Sequence, residues 1–226
     1  LSRSHSLLGR LAPTALAQGP APTIDIQALG SSLAAKAGIP KPPIVDNPKL
    51  GRKRFGQSSG FGTANPTIEI NLKGLISKAH LTTSQGAMIA AYGVIGHEML
   101  HHAGLGQTGK KVSEHSDPPT SKECEHGQIT LWQRKYYCDA WDDWYPDAYN
   151  ADPAGVGPIH YDICNMALLK QKELEGLQDL IDSCSTTGAD TVGPVGIPGG
   201  PYALPNVGDF QGDVGHCEPC DQLNGF

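Results

Sequence analysis

The residues with the clearest chemical potential are His97, Glu98 and His101, which lie in the segment IGHEMLHHAG (95–104). Residues four apart on an α-helix differ by about 40° around its axis and by one turn along it, so His97 and His101 can present ring nitrogens to one ion. Because imidazole nitrogens bind zinc at about 2.0–2.1 Å, the spacing predicts a zinc site. The alternative interpretation is a surface helix whose histidines face water.

Glu98 adds the group that a hydrolytic reaction needs. It is rotated by about 100° from His97, which places its carboxylate beside such an ion rather than beneath it. From there it can take a proton from a water molecule and pass it to the leaving amine, while the metal polarises the scissile carbonyl. His102 lies about 140° around the helix from His97, so we expect it to face solvent or to support the ligands.

The surrounding sequence predicts the elements that position these residues. TIEINL (67–72) alternates β-branched and polar residues, which is typical of a half-buried strand, here expected at a sheet edge. The preceding SSGFGTANP (58–66) is predicted to be a loop. TTSQ (82–85) has the form of a capping box with Thr82 as N-cap, and Gly104 offers a left-handed C-cap. The histidines therefore occupy the last two turns of a helix of about 20 residues.

Two more helices are predicted after a polar loop. SKECEHGQITLWQRKYYC (121–138) forms the first and IHYDICNMALLKQKELEGLQDLIDSC (159–184) the second, with a loop rich in acidic and aromatic residues between them. Together with the strand, they predict an α+β domain over residues 41–186. Residues 1–40 are expected to be a leader or linker, and the Gly- and Pro-rich residues 187–226 a flexible tail.

Composition narrows the classes of partner. The 226 residues carry a formal net charge of -6, which lacks the basic character of a nucleic-acid-binding protein. No apolar stretch approaches the roughly 20 residues that a membrane-spanning helix needs. Ala15-Leu16-Ala17 has the small-x-small form that precedes a signal-peptidase cut, so the stretch SLLGRLAPTALAQG (6–19) is interpreted as a signal-peptide remnant. We expect a monomer.

The cysteine content favours disulfides in an exported protein, because the number is even and only one CxxC pair is present. The six are Cys124, Cys138, Cys164, Cys184, Cys217 and Cys220. Bridges between the two later helices are feasible, and the predicted pairs are Cys138–Cys164, Cys124–Cys184 and, as a small ring in the tail, Cys217–Cys220. Metal binding by HCEPC (216–220) is the alternative for the last pair.

The predicted strand and the helix with the histidine motif together resemble a known family of proteins. TIEINL followed by VIGHEMLHHAG is similar to the core of the zincin metallopeptidases, in which an edge strand precedes the active-site helix and binds the substrate backbone. The resemblance covers Thr67 to about Tyr137 and is specific to the superfamily rather than to one branch. It implies a zincin-like α+β fold and zinc-dependent hydrolysis of peptide bonds in a peptide or protein substrate.

The branch of this superfamily can be narrowed from the residues after the motif. The metzincins continue it as HExxHxxGxxH. The chain has Gly104 at the expected place, but Gln107 stands where the third histidine should be. Glutamine is a poor zinc ligand, so the metzincin branch is excluded.

The gluzincin branch takes a glutamate of the following helix as third ligand, and this resemblance implies Glu125. Glu123 and Glu125 point about 160° apart on a helix, so at most one of them faces the metal. Glu123, His126 and His115 remain alternatives. Ile129 occupies the position at which the gluzincin pattern continues with aspartate, and this departure leaves the choice of ligand open.

Two other functions are compatible with the same residues. One is a non-catalytic binding or structural module that keeps the zinc and the scaffold. The other is a metal-dependent amidase that acts on non-protein substrates. Both share the predicted zinc site, and they differ from a peptidase only in what the site does.

Overall fold

The structure is a computed structural model that describes residues 24–37, 39–50, 54–60, 65–151, 156–167 and 171–186, together with Cys220. In chain order these residues form helix α1 (Ile26–Ala37), strands β1 (Ile44–Asp46), β2 (Gly56–Ser59) and β3 (Thr67–Ile70), helices α2 (Leu72–Lys78) and α3 (Ser84–His102), a short 3-10 helix (Val112–Glu114), and helices α4 (Ser121–Ala151), α5 (Val156–Ala167) and α6 (Gln171–Thr186). The predicted α+β class is confirmed at this level.

The described strands form a three-stranded sheet of order β1-β3-β2, with β3 parallel to β1 and antiparallel to β2. In β3, Ile68 and Ile70 are buried and Thr67 and Glu69 are half-buried, as the alternating pattern predicts. The predicted edge position is wrong, because β3 lies in the centre. Strand β2 lies at one edge of the described sheet and overlaps the segment that is predicted to be a loop. Its GQSS sequence has no hydrophobic alternation, so only its pairing with β3 makes it a strand.

Helix α3 carries the histidine motif and runs through the core. Its N-cap is Thr83, one residue later than predicted, and the Thr83 side chain accepts a hydrogen bond from the Gly86 N–H. At the other end Gly104 has a φ of 93°, which confirms the predicted left-handed cap. Most of the helix is buried, including the stretch from Gly93 to Gly96, so tertiary packing rather than one apolar face holds it in place.

Asp162 of α5 fastens the start of α3. Its fully buried carboxylate accepts hydrogen bonds from the backbone N–H groups and the hydroxyls of Thr82 and Thr83, at 2.7–3.1 Å. A carboxylate at this position also interacts favourably with the N-terminal end of the helix dipole. The contact therefore sets where α3 begins relative to α5.

We predict that Asp162→Asn lowers the free energy of unfolding by about 3 kcal/mol, because the amide NH2 would face N–H donors that are then left buried without an acceptor. Urea denaturation followed by circular dichroism measures the change. Asp179→Asn, an exposed position on α6, serves as the control and should change it by less than about 0.5 kcal/mol. Equal stabilities of the two variants would contradict this role of Asp162.

Two hydrophobic cores hold the described helices. The larger one joins α1, the sheet, α2, α3 and parts of α4 and α5, and the smaller one joins α4, α6 and the 3-10 helix. The helix predicted over 159–184 is therefore two helices, because Ile163 of α5 packs in the first core and Leu177 of α6 in the second. The periodicity alone did not reveal this division, since both segments are amphipathic.

The folded part of the chain also extends beyond the predicted bounds of its elements. Helix α1 lies within the residues expected to be a leader or linker, yet its Leu33 is fully buried in the larger core. Helix α4 continues to Ala151, through residues expected to form a loop, and packs against α5. The composition of α1 and of the C-terminal part of α4 predicts irregular structure. Both segments are helical because tertiary packing outweighs this local preference. The predicted tail over 187–226 lies outside the described residues, apart from Cys220.

Disulfides connect these elements in a partly different way from the prediction. Cys124–Cys184 joins α4 to α6 and is confirmed. Cys164 of α5 is bonded to Cys220, so the predicted pairs Cys138–Cys164 and Cys217–Cys220 are wrong. Cys138 is also disulfide-bonded. The spacing of cysteines along the chain could not predict this pairing, because it depends on where Cys220 lies relative to α5.

None of the helices in the described part of the chain combines the length and the apolar character that crossing a membrane requires.

Candidate metal centre

Three histidines converge at the floor of a cleft. The ring nitrogens that His97, His101 and His126 can offer to a metal all lie within 4.8 Å of one another. His97 and His101 come from the last two turns of α3, as predicted, and their Nε2 atoms are 3.0 Å apart. His126 comes from the second turn of α4, which packs against α3. All three side chains are half-buried, so they remain accessible from the cleft.

Hydrogen bonds determine which nitrogen two of these rings offer. Nδ1 of His101 lies 2.9 Å from the carbonyl oxygen of Leu105, which can only accept, so Nδ1 carries the proton and Nε2 has the free lone pair. Nδ1 of His126 lies 3.3 Å from the Thr108 hydroxyl, whose own proton goes to the carbonyl of Lys110. The His126 Nδ1 is therefore the donor, and its Nε2 is left as a ligand atom.

Burial also keeps these rings in the ligand form. It lowers the pKa of His101, against the hydrogen bond to Leu105, which raises it. It lowers the pKa of His126 to about 4, with a further contribution from the charge of His101. Both imidazoles are consequently neutral near pH 7, and a neutral imidazole is what a metal ion binds.

Glu125, the third ligand implied by the family resemblance, does not join this cluster. Its carboxylate accepts a hydrogen bond from the Gly106 N–H at 2.8 Å and forms an ion pair with Lys122 at 2.7 Å. Neighbouring residues on a helix point about 100° apart, so Glu125 and His126 cannot both face the same spot. His126, weighed from the sequence only as an alternative, is the residue of α4 that meets His97 and His101.

The other two candidates have different partners. Glu123 accepts hydrogen bonds from Thr120, Ser116 and Lys110, and these, led by the one from the Thr120 N–H, lower its pKa to about 2 although burial acts in the opposite direction. It thus stabilises the start of α4. His115 has its Nδ1 2.9 Å from the Ser116 carbonyl oxygen and lies in the preceding loop.

Glu98 lies beside the cluster in a confined position. Its side chain is 9% exposed and borders the cleft. Burial raises the pKa of Glu98 to about 7, while a hydrogen bond from the Ser58 backbone and the charge of Arg54 act to lower it. A carboxyl group with a pKa near neutral pH is suited both to taking up and to releasing a proton.

Strand β2 closes one side of this carboxylate. A Cβ atom added at Gly56 would lie 2.7 Å from Cγ and 2.8 Å from Oε1 of Glu98, and 2.8 Å from Cγ1 of Val94. Real Cβ atoms do not approach so closely, so the absence of a side chain at Gly56 lets β2 pack directly on Glu98. The sequence does not reveal this contact, because a glycine in a polar segment resembles an ordinary loop residue.

The cleft above the histidines has a volume of about 1120 Å³ and is open to solvent. Strand β2 forms one wall of the cleft. The other sides are lined by the loop from Gly106 to Lys111 and by Glu173 of α6. This volume lies slightly above the usual range of small-molecule pockets, about 300–1,000 Å³.

Comparison of the chain with protein-family models, with curated proteins and with solved structures finds no match, so the functional conclusion depends on the geometry and chemistry of this centre.

Proposed function

We propose that the chain is a zinc-dependent hydrolase of peptide bonds with a zincin-like site. His97, His101 and His126 hold the zinc, and Glu98 is the general base. One observation carries this proposal. The ligand nitrogens of the three histidines lie within 4.8 Å of one another, next to the buried carboxyl group of Glu98, at the floor of an open cleft. Glu125 is not part of the proposed ligand set.

The donor set suits zinc in a catalytic role. Catalytic zinc sites have three protein ligands and leave the fourth position for water or substrate, and three histidines are one of the known sets. Two nitrogens bound to one zinc in tetrahedral geometry are about 3.3 Å apart. The 3.0 Å between the Nε2 atoms of His97 and His101 is close to that value, and the His126 ligand nitrogen lies within 4.8 Å of both rings' ligand nitrogens.

When bound, zinc supplies a Lewis acid that polarises the scissile carbonyl and makes hydroxide available near neutral pH. Glu98 receives the proton that the attacking water loses and then delivers it to the leaving amine. Its confined position beside Gly56 restricts the carboxylate to one place, which lowers the entropic cost of the transfer. The substrate approaches from the cleft, where the three rings are accessible.

Strand β2 supports a peptide as the substrate. Since β2 is an outer strand of the described sheet and lines the cleft over Gly56–Ser59, an extended peptide can align beside it and use its backbone groups. The disulfides favour an oxidising compartment, and we propose that the protein is secreted or periplasmic and acts as a monomer.

A peptide library incubated with the oxidised, zinc-loaded protein tests the proposal. We expect cleavage that stops when a chelator removes the metal and returns when zinc is added back. Absence of any chelator-sensitive cleavage would contradict a peptidase. Hydrolysis confined to non-peptide amides in a parallel substrate set would assign the amidase activity instead.

We predict that Gly56→Ala lowers kcat by about 100-fold, because a methyl group at this position displaces the Glu98 carboxylate by a fraction of an ångström or more. Steady-state kinetics on a cleaved library peptide measure the change. Bound zinc should stay at the wild-type level, because the three atoms nearest to a Cβ at Gly56 belong to Glu98 and Val94 and not to a histidine.

Ser59→Ala on the same strand is the matched control, because its hydroxyl faces the Thr67 carbonyl oxygen at 3.5 Å rather than Glu98. It should retain nearly full activity. Combining Gly56→Ala with Glu98→Gln should reduce the rate no further than Glu98→Gln alone, because both changes act on one carboxylate. Additive losses in the double variant would contradict this relation.

A further inference from the structure

The peptide group between Leu105 and Gly106 connects Glu125 to the metal centre. Its carbonyl oxygen, on Leu105, accepts the hydrogen bond from His101 Nδ1 at 2.9 Å. Its N–H, on Gly106, donates to Oε2 of Glu125 at 2.8 Å. Because a peptide group is planar and its two polar ends share one resonance system, the imidazole and the carboxylate bind opposite ends of the same dipole.

This peptide group is held in place from the protein interior. Leu105, Gly106 and Glu125 are all buried, which limits the access of water to these hydrogen bonds. Lys122 pairs with Glu125 at 2.7 Å and also donates to the Gly104 carbonyl oxygen at 3.1 Å. Glu125 therefore has a defined orientation towards Gly106.

Gly106 also brings the same peptide group against the helix that carries the third histidine. Its φ is 55°, a conformation that side chains disfavour, and an added Cβ would lie 2.7 Å from the backbone N of His126 and 2.8 Å from its Cα. Only glycine fits there. One peptide group thus binds the His101 ring and packs on the backbone of His126.

We propose that Glu125 is a positioning residue that acts on the metal centre through the Leu105–Gly106 peptide group, holding His101 with Nδ1 protonated and Nε2 directed at the metal. Ligand histidines commonly donate their second N–H to a carboxylate or to a backbone carbonyl. Here the two partners act in series, because a carboxylate that accepts the N–H of a peptide group makes its carbonyl a stronger acceptor. The effect on zinc affinity rests on the proposed function, whereas the effect on the His101 ring does not.

Two variants separate the charge from the hydrogen bond. Glu125→Gln keeps an oxygen that can accept from Gly106 but removes the charge, and Glu125→Ala removes both. Nitrogen-15 NMR of the histidine rings in the metal-free protein, at a pH where they are neutral, reports the tautomer of His101. We expect the Nδ1–H form to predominate in the wild type, to decline in Glu125→Gln, and to decline further in Glu125→Ala.

Zinc affinity, measured by competition with a chromophoric chelator, should fall by about 10- to 100-fold in Glu125→Ala. Glu114→Gln, an exposed acid on the wall of the same cleft, is the control for a change of charge and should match the wild type in both measurements. Wild-type tautomer populations in both Glu125 variants would overturn the inference. If the wild type binds no zinc, the proposed function fails, and the NMR comparison still decides the inference.

Discussion

The Glu98→Gln variant is expected to keep its zinc and to lose hydrolysis by about 10²- to 10⁴-fold, the usual contribution of a general base. Glutamine has nearly the same shape, so it fits beside Gly56 and Ser58, but its amide cannot accept the proton that a general base must take. The measurement is kcat/KM on a library peptide, together with the zinc-to-protein ratio of the same preparation. Loss of activity with retained zinc separates catalysis from metal binding.

The matched control for this substitution is Glu114→Gln, which removes the same charge from the wall of the same cleft. It should leave kcat/KM within about twofold of the wild type, because Glu114 is exposed and pairs with Lys111. Undiminished hydrolysis by Glu98→Gln would contradict the assignment of Glu98 as the base, whatever the metal content.

The His126→Ala variant is expected to bind zinc more than about 100-fold more weakly than the wild type, because losing a ligand costs more than losing one of its supporting partners. The side chains of His97 and His101 would remain on α3 but would hold the metal with two protein ligands only. Competition against a chromophoric chelator gives the affinity, and circular dichroism shows that the variant has folded.

His115→Ala is the control, since His115 lies in the loop before α4 and its ring faces the Ser116 carbonyl oxygen. Its zinc affinity should equal that of the wild type. If His126→Ala binds zinc as tightly as the wild type, His126 is not a ligand.

The part of the site on α3 can be predicted from sequence because it depends on one helix. The relation between His97 and His101 follows from helical periodicity, and the cap at Gly104 follows from the conformational preference of glycine. Both are local properties, and the structure confirms them. Glu98 belongs to the same helix, but its burial depends on β2, which lies some forty residues earlier in the chain.

The contribution of α4 could not be predicted in the same way. Glu125 and His126 are adjacent, so a rotation of about 100° around the helix axis decides which of them faces α3. That rotation is set by tertiary contacts, in particular by the disulfide Cys124–Cys184 and by the packing of Gly106 on His126. Three histidines form a known catalytic zinc set, so residue chemistry permits His126, whereas the family resemblance implies glutamate.

The fold shows the same distinction between local and distant information. The strand pattern of TIEINL predicted β3, whereas its central place depends on β1 and β2, which are short and have no hydrophobic alternation. Likewise, the pairing of Cys164 with Cys220 depends on the position of Cys220 relative to α5, 56 residues earlier in the chain. Neither relation is encoded in the spacing of neighbouring residues.

The zinc-to-protein ratio of the purified, oxidised chain tests the central claim most directly. The protein is saturated with zinc, loosely bound metal is removed, and the wild type is compared with His97→Ala by elemental mass spectrometry. We predict about one zinc per chain in the wild type and none in the variant. Absence of zinc from both, with native circular dichroism, would contradict a metal centre formed by His97, His101 and His126.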